Sequence, residues 1–327
     1  NTMKKNVFKK VIAAALCLGL TASLAACKSG TKDVPVIGIA QYGEHGSLDN
    51  CREGFLQGLE KAGLKEGADY TLDVQNASFD DAIDGQIAQK FADEDVSLMV
   101  GIATPSAQAC FNAAEEKDIP VIFTAVTDPV GAKLDAGNVT GTSDVLPVEG
   151  QLQLIRALQP EAKTIGIIYT TSESNSLYSI EQYEKLAGDY GFTIDAVAVT
   201  AQAEVTQAVD KLLADRVDCL SNLTDNNVVG VLPAILEKTD AAGIPVYGSE
   251  IEQVKLGCVA GAGLDYVKLG IQTGEMAAKV LKGEAKCQDL PYEVIVDYDL
   301  YVNSKALATL GLELPADLMD IAVECGE

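Results

Sequence analysis

The chain has 327 residues, 48% of them hydrophobic, and a formal net charge of −24. That length is long for one hydrophobic core and comfortable for two, and the apolar fraction is that of a folded globular protein. So acidic a chain repels polyphosphates, which excludes nucleic acid as a partner and leaves solubility, or the capture of a cation, as the use of the charge.

The N-terminus reads as a targeting segment rather than part of the fold. Lys4, Lys5, Lys9 and Lys10 form a positive region, and residues 11–20 are apolar but too few to span a bilayer. Leu24-Ala-Ala-Cys27 follows, then the polar stretch Lys28-Ser-Gly-Thr-Lys32. The small residues before Cys27 resemble the bacterial lipobox. That resemblance makes 1–27 a lipoprotein signal, Cys27 the acylated residue and 28–34 a tether.

From there the sequence states one pattern twice. Val36-Ile-Gly-Ile-Ala40 and Thr164-Ile-Gly-Ile-Ile168 are short apolar strands, each entering a polar turn and then a helix that closes on glycine, Gly63 or Gly191. Further strands are expected at 71–74, 98–102 and 121–124 in the first copy, and at 193–199, 219–223 and 245–248 in the second. Two more fall at 257–261 and 292–298. Helical stripes alternate with them: Cys51, Phe55 and Leu59; Ile83, Ile87 and Phe91; Ile180, Tyr183, Ala187 and Tyr190; and Val267, Ile271, Gly274, Ala278 and Leu281. The alternation predicts an α/β protein of two doubly wound, Rossmann-like lobes with parallel sheets. Lobe one comprises 35–143 plus 264–287 and lobe two 144–263 plus 288–327, joined by three hinge strands.

Open α/β sheets bind ligands beyond the C-terminal ends of their strands, so the turns there are the candidate site. Thr104-Pro-Ser-Ala-Gln108 has the grammar of a helix start, with Thr104 at N-cap and Pro105 at N1. The amides of Ser106 and Ala107 then point at an anion. The equivalent turn of the second copy is Thr224, Asp225, Asn226 and Asn227. Tyr42 and Asp49 follow the first strand; Ser174, Asn175, Ser176 and Tyr178 follow its partner. Thr127 and Asp128, Glu250, and Asp265 and Tyr266 follow later strands. Carboxylates, hydroxyls, amides and aromatic faces in one place suit a zwitterion.

Other chemistries lack their residues. His45 is the lone histidine and has no neighbouring thiol, so no metal site is expected, and it reads as a loop residue making at most a hydrogen bond. There is no G-x-S-x-G elbow, no H-E-x-x-H and no P-loop, and Gly261-Ala-Gly263 lacks the third glycine of a dinucleotide fingerprint. No cofactor is expected. The six cysteines after Cys27 show no C-x-x-C spacing and are expected as buried thiols. With three arginines and no tryptophan, the chain suits neither a phosphorylated ligand nor a stacked sugar.

Several segments together resemble one family: Val36-Ile-Gly-Ile-Ala40, Leu48-Asp49, Thr104-Pro-Ser-Ala-Gln108, Ile119-Pro-Val-Ile-Phe-Thr124, Val126-Thr-Asp-Pro129, Asn138-Val-Thr-Gly-Thr-Ser143, Tyr266-Val-Lys-Leu-Gly270 and Gly311-Leu-Glu-Leu-Pro315. The chain is similar to ABC transporter substrate-binding proteins of the tryptophan/tyrosine type, with the type I periplasmic-binding fold. Gly46 departs from the pattern, standing after His45 where a proline is usual.

The resemblance implies a monomeric, lipid-anchored receptor on the outer face of a bacterial membrane. It would close on an amino acid, aromatic by the same analogy, and deliver it to a permease and its ATPase without catalysis. The ligand carboxylate would meet Thr104 and the 174–176 turn, and its ammonium Asp225 or Glu250. The residues themselves also leave open a nucleoside or other small solute as cargo, a ligand-presenting signalling receptor, and an exported hydrolase using His45.

Overall fold

The computed structural model describes residues 34–326; the expected signal, Cys27 and nearly all of the tether lie outside them. The strands in chain order are β1 (Val36–Gln41), β2 (Thr71–Asn76), β3 (Leu98–Ile102), β4 (Val121–Thr124), β5 (Val139–Ser143), β6 (Thr164–Thr170) and β7 (Thr193–Val199). β8 (Cys219–Ser221), β9 (Val246–Tyr247), β10 (Ala260–Gly263), β11 (Glu293–Val294), β12 (Asp299–Val302) and β13 (Ala322–Glu324) follow.

They build two sheets. The first runs β11-β5-β4-β3-β1-β2, parallel throughout. The second runs β7-β6-β8-β9 in parallel, and backbone bonds from Gly248 to Ala260 and from Val259 to Val246, both 2.9 Å, carry it on to β10. There β12 lies antiparallel to β10, and β13 parallel to β12. Each copy of the sequence pattern thus has the same strand order, with the reversal of winding between β1 and β3 in one and between β6 and β8 in the other.

Burial follows from the β-branched runs. Every residue of β3 is buried, as a parallel strand covered on both faces requires. Ile37, Ile39, Phe91, Met99 and Phe123 fill the first core. Ile165, Ile167 and Tyr183 fill one side of the second sheet, and Val209, Leu212 and Leu232 the other.

Against the first sheet, the helices Gly46–Lys61 and Tyr266–Leu281 pack on each other, running parallel, by backbone contact. A Cβ at Gly54 would stand 2.1 Å from the carbonyl oxygen of Val267, and one at Gly270 would stand 2.3 Å from that of Cys51. Gly58 and Gly274 repeat the contact one turn on. Only glycine permits this approach. No described helix is long and apolar enough to cross a membrane.

Some elements differ from expectation. The segment 139–143, at the expected boundary between the lobes, is strand β5; Thr140 and Thr142 are buried there because their hydroxyls find Met276 and Thr273 on the helix above. The strand expected at 292–298 shortens to β11 and joins the first sheet, so the chain reaches the second sheet only at β12. Ile83, placed on an apolar stripe, is 41% exposed, while Asp84 beside it is buried. The described cysteines are free thiols, all buried except the half-buried Cys325.

Candidate functional site

The turns beyond β1 and β3 meet those beyond β6 and β8 at the two points of reversed winding. His45 and Ala103 from the first sheet, and Asn175, Thr224 and Asn226 from the second, line one cavity. Asp144, Glu250 and Tyr266 lie in the same wall, with Ser47 and Gln253. The space they enclose is about 20 Å³, roughly one water by that measure, so the walls are shut tight.

Contacts cross the cleft. His45 Nε2 lies 3.2 Å from Asn226 Oδ1, Asn50 Nδ2 donates to Glu252 at 2.9 Å, and the hydroxyls of Thr127 and Thr224 stand 3.4 Å apart.

The sequence-predicted residues fall into groups. Asn175, Thr224, Asn226, Glu250 and Tyr266 line the cavity. Tyr266 donates its hydroxyl to Asp144 at 2.5 Å, and Thr127 donates to the other oxygen of that carboxylate at 3.1 Å. Thr104 and Ser174 begin the facing helices, each beside a lining residue, and their buried hydroxyl oxygens have no partner.

The rest are occupied elsewhere. Asp225 accepts from the amide and hydroxyl of Thr170, from Ser176 and from the amide of Val228, which uses both its oxygens inside the protein. Ser106 donates to Asp84. Tyr42 donates to Asp81, and Asp49 accepts from Gln41. Asp128 closes a turn on Gly131, and Asp265 caps the helix it precedes. Pro105 lines a separate outer groove, and Tyr178 is half-buried on its helix, off the cavity wall.

The helix start at 104 requires a correction. Ala103 is the N-cap and Thr104 is already helical, with no side-chain cap. The amide of Ala107 is bonded to the carbonyl of Ala103 and is not free. Ala103 holds φ 80 and ψ 158, a region nearly reserved for glycine, and Ala125 after β4 also lies at positive φ. Both line the cavity.

Sequence reading missed three groups. Asp144 looked like a hinge residue; burial in the cleft pushes its pKa up to about 6, against hydrogen bonds from Tyr266 and Thr127. Glu173, which the sequence does not single out, is fully buried and accepts from Asn175, Asn226 and Asn227. Burial, and Asp225 beside it, raise its pKa, while the N–H groups around it favour the carboxylate. His45, read as a loop residue, is a cavity wall stacked 7° from parallel on Phe79. Burial lowers its pKa, so the ring is neutral at neutral pH. Glu250 caps the helix Ile251–Leu256, and burial raises it to about 7. The lining carries carboxylates and no Lys or Arg, so it attracts positive charge.

Among the described residues, no group of acids, histidines and cysteines is arranged to hold a metal ion. Five buried polar side-chain atoms are unpartnered among the described residues, and four of them belong to the cleft turns: His45 Nδ1, Thr104 Oγ1, Ser174 Oγ and Asn175 Oδ1. Native proteins rarely leave such atoms unmatched, and convergence at one cleft marks a place where a ligand supplies the partners.

Comparison with known proteins agrees with this architecture. Residues 36–325 match the family described as ABC transporter substrate binding protein. A tyrosine-binding protein of Clostridioides difficile is 38% identical over 89% of this chain and 85% of its own length. A Streptococcus pneumoniae ABC domain solved in complex with L-Trp superposes with TM-score 0.85 at 34% identity, covering 89% of this chain and 99% of that one. A ligand-free, open substrate-binding protein from Clostridium difficile, with adhesive properties, gives TM-score 0.65 at 40% identity with the same coverage.

Proposed function

Since the chain belongs to the ABC transporter substrate-binding protein family, and so serves an ABC transporter as its solute receptor, we propose that its cleft encloses a free aromatic amino acid. The observation that carries this reading is the set of unpartnered polar atoms on the two facing sets of strand ends. Thr104 and Ser174 offer hydroxyls at helix starts, where a carboxylate gains from the dipole as well. Asp144 and Glu250 offer negative charge for an ammonium. Asp225, spent on Thr170, Ser176 and Val228, stands behind the wall and shapes it.

Binding is a two-state closure: contacts to both halves are made only when the cleft is shut, so ligand shifts the population to that form. The resemblance in backbone supports this. The chain lies nearer the tryptophan complex than the open relative, although its sequence is nearer the latter. His45, sealed at Nδ1 and engaged at Nε2, holds a ligand and performs no chemistry on it. Cys27, acylated, would tether the protein to the outer membrane face beside its permease; labelling with a radioactive fatty acid, lost in Cys27→Ser, tests that attachment.

Isothermal titration of the purified protein against the proteinogenic amino acids tests the ligand class. Saturable 1:1 binding of tyrosine or tryptophan, with aliphatic amino acids far weaker, is the expected result. Absence of binding across the panel, or preference for a nucleoside, rejects it. Bound tryptophan is the sole indole in the complex, because the chain has no Trp, and red-edge excitation reads it apart from the protein's tyrosines.

A further inference from the structure

We propose that Glu173 sets the hydrogen-bond sense of the cavity wall, so that Asn175 and His45 both present bare acceptors and the site selects a ligand group rich in N–H, a primary ammonium. The inference rests on the cleft reading above and deepens it.

Five N–H groups point at Glu173: the side-chain amide of Asn175, and the backbone and side-chain N–H groups of Asn226 and Asn227. A carboxylate only accepts, so each of these amides is locked with its nitrogen inward. Asn175 gives its remaining amide hydrogen to the carbonyl of Thr224 at 3.0 Å. Its Oδ1 therefore faces away, buried and unpartnered.

Asn226 relays the same constraint. With its nitrogen donating to Glu173 at 2.7 Å, its Oδ1 is the atom 3.2 Å from His45 Nε2. A carbonyl oxygen cannot donate, so Nε2 carries the imidazole proton. The ring is neutral, which leaves Nδ1 as a lone pair, and Nδ1 is sealed from solvent with no partner. One buried acid thus orients two bare acceptors, both belonging to residues that line the same cavity. A hydroxyl offers one hydrogen; a primary ammonium offers three and also answers the negative charge of Asp144 and Glu250.

The single histidine makes the test direct. Long-range proton–nitrogen NMR of the 15N-labelled protein reads the His45 tautomer without assignment. We expect the proton on Nε2 and a bare Nδ1 whose resonance moves on adding L-tyrosine. It should stay in place on adding 3-(4-hydroxyphenyl)propionate, the same molecule without its amine. By titration, the wild type should prefer tyrosine to this analogue by about tenfold to a hundredfold, the scale of a charge-assisted hydrogen bond. Glu173→Ala, which removes both acceptor oxygens, should free the amides of Asn175 and Asn226 to turn and erase most of that preference. If this variant does not fold, His45→Phe keeps the stacking on Phe79, removes Nδ1 and should reduce the preference alone.

A proton on Nδ1 in the wild type, or an undiminished preference in folded Glu173→Ala or His45→Phe, overturns the proposal. Failure of the aromatic reading looks different: neither tyrosine nor its analogue binds, and the tautomer of unliganded His45 still decides the role of Glu173.

Discussion

Asn50 donates a side-chain hydrogen to Glu252 at 2.9 Å, joining a helix of the first sheet to a helix of the second across the mouth of the cleft. Because that bond exists only when the halves meet, it stabilises the shut form without holding either core together. Asn50→Ala should weaken ligand binding by about 0.5–1.5 kcal/mol, the net worth of one hydrogen bond. Stopped-flow measurement should show this as faster release, with the melting temperature of the unliganded protein unchanged.

Backbone contact between the helices Gly46–Lys61 and Tyr266–Leu281 leaves no room for a methyl group. Gly270→Ala would set a Cβ 2.3 Å from the Cys51 oxygen and 2.8 Å from the Phe55 nitrogen, atoms that cannot swing aside. Overpacking of this kind costs about 1–3 kcal/mol. Urea denaturation should show that loss. Gly283→Ala, just past the C-terminal end of the same helix and at positive φ in open space, should cost less, through backbone strain alone.

Ala103 stores strain where the cavity begins. Its backbone conformation suits glycine and costs an alanine about 1–3 kcal/mol. Ala103→Gly relieves this but adds about 0.4–1 kcal/mol of unfolded-chain entropy, so a net gain of about 1 kcal/mol is expected. A calorimetric melting point that falls in this variant would show that the alanine is not strained.

Asp84 gives a pH signature. It is buried, accepts from Ser106, and burial lifts its pKa from 3.8 to about 6. A group raised in the folded state contributes stability that is full below its unfolded pKa and lost as pH rises through the folded one. Asp144 and Glu250 act in the same direction. The protein should therefore gain stability between pH 8 and pH 5. Asp84→Asn should flatten part of that slope, being more stable than wild type at pH 8 by roughly 1–3 kcal/mol and equal to it near pH 4.

Thiol accessibility separates Cys325 from the other described cysteines. It alone is not buried, and burial together with Glu324 raises its pKa. Mass mapping after brief iodoacetamide treatment of the native protein should find slow modification at Cys325, with Cys51, Cys110, Cys219, Cys258 and Cys287 protected until denaturation.

The fold was legible where side chains announce burial by themselves. β1, β3, β4 and β6 are apolar runs between turn residues, and the doubled pattern of strand and helix pointed to two parallel sheets. β5 was not legible, because Val139-Thr-Gly-Thr-Ser143 reads as a polar link until Thr273 and Met276 are seen to take its hydroxyls. The site was legible as a region, the turns after the strands, but not as roles. Asp225 and Glu173 are both acids in polar turns. Nothing local tells that one is spent on Thr170, Ser176 and Val228 while the other governs the amides of residues 53 and 54 positions further on. His45 looked idle for the same reason: its partner Asn226 lies 181 positions away.

The glycine-lined helix pair also bears on the order in which the chain can fold. Gly54 lies early in the chain and Gly270 late, so the glycine face of the first helix has no native cover until the far end of the polypeptide has arrived. Contacts of such long range form slowly and leave nascent chains exposed to chaperones. Truncation between Ser143 and the Tyr266–Leu281 helix should strand the first half in an unfinished, aggregation-prone state, even though its first five strands are all present.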